Sequence, residues 1–176
     1  MRLSHLAEPE LEFGSGLRHT DIRFGIMDYG PFDLSAQNAP KRIKLGIIGT
    51  AETLEGTAKW VHSCSEGFAS KPSRQPNLFP PFPGLRNDET FHCDFLISSE
   101  LQRVLPSKEI GRLVAIPGQR EVTRAVVETM VEEISVLAEQ TVKPDVILIA
   151  LPVEVIERTV NAKDTLDEDK DETEAG

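Results

Sequence analysis

"KRIKLGIIGTAETL", residues 41–54, is the stretch whose reading decides the fold. Ile43, Leu45, Ile47 and Ile48 put apolar side chains on both faces of an extended segment, the pattern of a parallel strand covered on both sides. Thr50 or Thr53 can then cap a helix, and Glu52 and Glu55 suit its electropositive start. Leu54, Ala58 and Val61 continue it at i, i+4, i+7 spacing.

A strand running through a glycine turn into a helix is also where dinucleotide pyrophosphates bind. The spacing here differs. After Gly49 that fingerprint needs glycine at positions 51 and 54, where the chain has Ala51 and Leu54, and Gly46 sits too early, inside the strand. No Gly-Lys-Ser/Thr follows, so a P-loop is missing too. The turn reads as structural, with a small nucleotide-binding protein left as an alternative.

Outward from this stretch, residues 1–40 are rich in Gly, Pro and Asp and read as an irregular leader packed on the domain. Within it, "LEFG" and "IRFGIM" can form short strands joined by "GSG". Beyond the first helix, which should end by Gly67, five prolines in "KPSRQPNLFPPFPGL" forbid a long helix or a central strand. Leu78, Phe79 and Phe82 in that arm are too apolar for water, so they either pack back or meet a partner. "FHCDFLIS" alternates Phe91, Cys93, Phe95 and Ile97 as a second strand. Ser98 or Ser99 then caps a helical turn through Leu105, which Pro106 interrupts.

A long helix is expected over about Arg120 to Glu139, with Val122, Val126, Met130, Ile134 and Leu137 on one stripe. "KPDVILIAL" supplies another buried strand. Strand, helix, strand, long helix, strand is an order that calls for a mainly parallel sheet with flanking helices, an α/β domain over residues 41–160. From 161 to 176 the chain is polar and acidic, and disorder is the expectation.

The 176 residues allow one ordinary domain or a piece of a larger protein. A net charge of -10 argues against a free-standing nucleic-acid binder, but seven acids against one lysine lie in residues 164–176, leaving the rest at -4. The clusters Arg18, His19, Arg23 and Lys41, Arg42, Lys44 read as solvated surface charge. No apolar run reaches the roughly 20 residues of a membrane span, and the start has no secretory signal, so a cytoplasmic protein is expected. His5, His19, His62 and His92 share no metal-ligand spacing, none lies near a serine or cysteine in a recognised nucleophile context, and His62 and Cys64 at i, i+2 on a helix point apart. Cys64 and Cys93 are expected to be buried reduced thiols. No catalytic residue, metal or cofactor follows from the residues.

Several unusual strings remain. "LEFG" at 11–14, "RHTDIRFGIMDYGPFD" at 18–33, "KRIKLGIIGT" at 41–50, "RQPNLFPPFPG" at 74–84 and "PDVILIALP" at 144–152 occur in an order that resembles the N-terminal third of short prokaryotic Argonaute proteins, those reduced to MID and PIWI domains. The similarity spans roughly residues 11–160, and the strings from 18 to 50 are its most specific part. The resemblance implies a Rossmann-like MID domain that helps hold a guide RNA against target DNA, without catalysis. It also implies an effector partner carrying a TIR, sirtuin-like or nuclease domain beside a PAZ-analogue region, in defence against phage or plasmids.

In that family the guide-phosphate contacts lie on Lys and Gln residues further downstream, and the PIWI domain follows them. The expectation is therefore a truncated or split MID region, with a separately encoded PIWI half among its candidate partners. Arg158 and Lys163, just past the last strand, are its candidate nucleic-acid contacts. The alternative is an interaction module that docks the effector or PIWI partner through Leu78, Phe79 and Phe82.

Overall fold

The computed structural model describes residues 8–36, 42–75, 78–86 and 90–160. The chain divides into two compact units, one of residues 1–43 and 59–96, the other of residues 44–58 and 97–176. The three division points, after residues 43, 58 and 96, fall inside regular elements, so neither unit is a continuous piece of chain.

The first unit opens with a minimal hairpin. Strands β1 (Leu11–Glu12) and β2 (Arg18–His19) pair antiparallel around a short 3-10 turn, Gly14–Gly16. The chain then enters helix α1 (Ile22–Tyr29), where "IRFGIM" reads from sequence as able to form a short strand. Local capping decides the difference. Asp21 stands in extended backbone and its carboxylate accepts the Arg23 N–H at 2.8 Å. Gly25 also lies so close to Phe13 that an added Cβ would sit 2.2 Å from the ring. Phe13 is buried against that face of the helix, which a strand would not present.

Further along this unit the described parts of the proline-rich arm form no long helix and no strand of a sheet, and the Leu78 N–H donates to the Gln75 carbonyl at 3.0 Å in a tight turn. Phe68 and Phe82 form an isolated antiparallel bridge. Phe82 is half-buried and packs its ring against Phe68 and Phe91, with centroids 6.4 Å and 5.6 Å apart.

The second unit is built on a three-stranded sheet of order β4-β3-β5. Strand β3 (Arg42–Gly49) pairs in parallel with β5 (Val146–Ala150), Leu45 opposite Val146 through Gly49 opposite Ala150. Strand β4 (Asp94–Val104) flanks β3 on the other side, and the Leu105 N–H donates to the Gly49 carbonyl at 2.7 Å. Residues Ser98 to Val104 thus belong to the strand. The helical turn that Ser98 or Ser99 would cap is not formed, because sheet pairing outweighs the local capping tendency of serine.

Helix α2 (Ala51–Glu66) follows β3; α3 (Ser107–Val114) follows β4; α4 (Gln119–Ala138) leads into β5; and α5 (Val153–Thr159) follows it. In one core cluster of this unit, Val122, Val126, Met130 and Leu137 of α4 join Ile48, Ile110, Leu113 and Val155, with Ile134 partly buried beside them. These are the residues of the α4 stripe read from sequence. The molecule is a mixed α/β protein whose parallel sheet is flanked by helices. No helix among the described residues is long and apolar enough to cross a membrane.

Candidate functional site

All three strands of the sheet stop at a shared end, and a helix begins beyond each. β3 stops because Gly49 alone fits there: a Cβ would lie 2.5 Å from Thr53 Oγ1 and 2.6 Å from the Ala150 carbonyl. The next residues build a reciprocal cap. The Thr53 N–H donates to Thr50 Oγ1 at 3.2 Å, and the Thr50 N–H donates back to Thr53 Oγ1 at 2.9 Å. The Thr53 hydroxyl then donates to Ala150 O at 2.7 Å, fastening the start of α2 to the end of β5. After β4 and β5, Pro106 and Pro152 take extended backbone and set the first residues of α3 and α5. Neither of those helices has a side-chain cap.

Between these helix starts lies an open crevice of about 700 Å³. Its polar lining is Thr50, Glu52, Thr53, Ser107 and Glu154; its apolar wall includes Ile110, Val114, Pro152 and Val153. In an open parallel sheet this is the place where ligands bind, outside the carboxyl ends of the strands. No Lys, Arg or His contributes to the lining among the described residues. Helix N-termini attract anions, but Glu52 and Glu154 already supply negative charge to two of them. The crevice therefore suits neutral groups that donate and accept hydrogen bonds, such as ribose hydroxyls and base edges, better than a phosphate.

Gly111 lines the same crevice from the exposed side of α3, and a Cβ there would meet nothing within 4 Å. Any side chain placed at 111 projects into the open space without disturbing the core.

Arg158 sits on α5, half-buried. Its Nη2 donates to Ile116 O at 2.8 Å and its Nε to Val114 O at 3.3 Å, so its guanidinium closes the carboxyl end of α3. Lys163 lies outside the described residues. Leu78 and Phe79 remain 43% and 37% exposed, while Phe82 joins the aromatic cluster.

Those arm residues border a second concavity, in the first unit. A groove of about 420 Å³ runs between Ile22, Arg23 and Ile26 of α1 and the arm from Phe79 to Pro83, with Lys71 at its side. Arg23 is held there by Asp21 (2.7 Å, Nη2 to Oδ2) and by the Leu78 carbonyl (2.9 Å). Lys71 Nζ lies 5.7 Å over the Phe79 ring. The hydrogen bonds from Arg23, side chain first, hold the Asp21 carboxyl down at a pKa of about 2. The groove is apolar with a cationic edge.

Cys64 and Cys93 are free, partly buried thiols, and burial raises both pKa values, so neither carries the lowered pKa of a reactive thiolate. Among the described residues no group of three or more His, Cys, Asp or Glu side chains is placed to hold a metal ion. No protein-family model matches the chain, and no curated protein matches it.

Sequence reasoning reached Thr50 and Thr53 as capping residues but missed the crevice they border. The available signal was the pairing of each strand end with a helix start: Pro106-Ser107 after one strand and Pro152-Val153 after another.

Proposed function

We propose that this chain is a non-catalytic MID-region protein of the short prokaryotic Argonaute kind, and that its crevice receives the end of a guide strand. One observation carries the reading. Two of the strings that bear the resemblance, 41–50 and 144–152, form neighbouring parallel strands, and their last residues border the crevice. A Rossmann-like layout, with its ligand at the carboxyl ends of the strands, accounts for that arrangement.

In this reading the crevice handles the terminal nucleoside, and the phosphate is held by another part of the assembly. The complete assembly pairs guide RNA with target DNA and signals to an effector partner in cytoplasmic defence. A short RNA carrying a photoreactive base at its 5′ end tests the placement. Crosslinks in peptides covering 50–54 or 107–114 are the expected result, whereas crosslinks confined to other peptides contradict it.

A protein-interaction role for the arm has its own support, since Leu78 and Phe79 stay exposed beside an apolar groove. In that role the groove docks the effector or a PIWI partner. Replacing Leu78 and Phe79 with serine should abolish co-purification with an effector encoded beside this chain while leaving RNA binding intact. Unchanged co-purification removes the arm from the interface.

A further inference from the structure

The ends of three helices meet at one place in the second unit, and side chains reach across it in both directions. From α5, Arg158 reaches α3 and the turn after it: Nε donates to Val114 O at 3.3 Å and Nη2 to Ile116 O at 2.8 Å. In return, the first residue of α4 reaches α5, with Gln119 Nε2 donating to Thr159 O at 2.9 Å. Val114 and Thr159 are the last residues of α3 and α5, and their carbonyls have no acceptor role inside their own helices.

The same two helices line the crevice, α3 through Ser107, Gly111 and Val114 and α5 through Val153 and Glu154. Each spans two turns without a side-chain cap at its start, and helices this short take their positions from tertiary contacts. Ile110, Leu113 and Val155 bury their inner faces in the core cluster. Apolar burial is non-directional, so it holds a short helix down without fixing how it rolls or slides. Hydrogen bonds demand set distances and angles, and they supply the missing restraint.

We infer that Arg158 and Gln119 form a clasp that sets the spacing of α3 and α5, and with it the width of the crevice; its bearing on a bound strand end rests on the function proposed above. Arg158 is a positioning residue. It acts on the crevice through Val114, which belongs both to the clasp and to the lining. The planar guanidinium suits the task, because its fixed fork reaches two carbonyls at once, whereas a lysine ammonium is a point charge on a flexible stem. Gln119 supplies the return bond without charge.

Nitroxide labels at Gly111→Cys and Val153→Cys, in the full chain carrying Cys64→Ser and Cys93→Ser, report the spacing with no ligand present; both labelled positions are exposed at the crevice. Dipolar EPR should give one narrow distance distribution with the clasp intact and a broadened one for Arg158→Lys, Arg158→Met and Gln119→Leu. The Gln119 change removes one bond and no charge, so it still reads out if an Arg158 variant misfolds. Anisotropy of a short 5′-hydroxyl RNA on the unlabelled chains should show about tenfold weaker binding by all three variants, as expected if a crevice without its clasp holds the binding width about one-tenth of the time. A distribution that stays narrow when the clasp is broken overturns the inference. So does Arg158→Lys with wild-type RNA affinity, which would make Arg158 a direct contact to phosphate. A distribution that broadens while RNA is not bound, or is bound equally by every form, upholds the clasp and removes the strand-end reading instead.

Discussion

Thr53 joins three parts of the second unit through one hydroxyl. It accepts from the Thr50 N–H and donates to Ala150 O, while its own N–H is capped by Thr50. Thr53→Val keeps the shape and deletes the polar contacts, leaving a partly buried carbonyl without its donor; denaturant unfolding should show a loss of about 1–3 kcal/mol. A change well below that would mean that water replaces the hydroxyl at no cost. Asp21 acts through charge as well as shape. Its folded pKa is lowered from 3.8 to about 2, chiefly by the Arg23 side-chain hydrogen bond, so its contribution to stability is present above 3.8 and lost as pH falls toward 2. The melting-temperature gap between the wild type and Asp21→Asn, which keeps the cap without the charge, should therefore close across that window. A carboxyl titrating near 3.8 by NMR would contradict the pairing. Neither residue's role was fully legible in the sequence. Thr50 and Thr53 were visible as caps, but the contact with Ala150, 97 positions away, exists only once β3 and β5 are neighbours.

Helix α4 makes the strongest statement among the elements, because its pattern and its packing agree. Met130 is buried in the core and Val131, one residue on, is exposed. Met130→Ala should cost about 2–4 kcal/mol, while Val131→Ala should stay within about 0.5 kcal/mol. Similar costs at both positions would mean that the helix is rotated from the orientation described. A long helix shows its period, and so do strands like β3 and β5 with β-branched residues on both faces. Short elements do not: α3 and α5 span two turns each, and only the prolines before them mark their starts. "IRFGIM" misleads because its alternation suits a strand, while the decision belongs to Asp21 and to the close approach of Gly25 and Phe13. β4 outruns its sequence signal for the converse reason, since pairing with β3 carries it through Ser98 and Ser99.

At the scale of the whole molecule, the proposed function rests on segments far apart in the chain. The crevice draws on residues 50–53, 107–114 and 152–154, which only the parallel sheet brings to one end. Sequence reasoning could place ligands at the carboxyl ends of strands in general, and it looked to basic residues for nucleic acid. The structure engages Arg158 with two carbonyls and lines the crevice with hydroxyls and carboxylates instead. A 5′-phosphate should therefore give a short RNA no advantage over a 5′-hydroxyl when this chain binds alone, and a clear preference for the phosphate would place a cationic site elsewhere. The central claim is that the crevice is where a strand end enters, and Gly111→Trp tests it most directly. The new ring fills the crevice from an open position on α3, and replacing a helical glycine should leave folding intact. Fluorescence anisotropy with a short single-stranded RNA at low salt should show saturable binding by the wild type and binding at least about tenfold weaker in the variant. Equal affinity in the two proteins, or no binding by the wild type, would contradict the account.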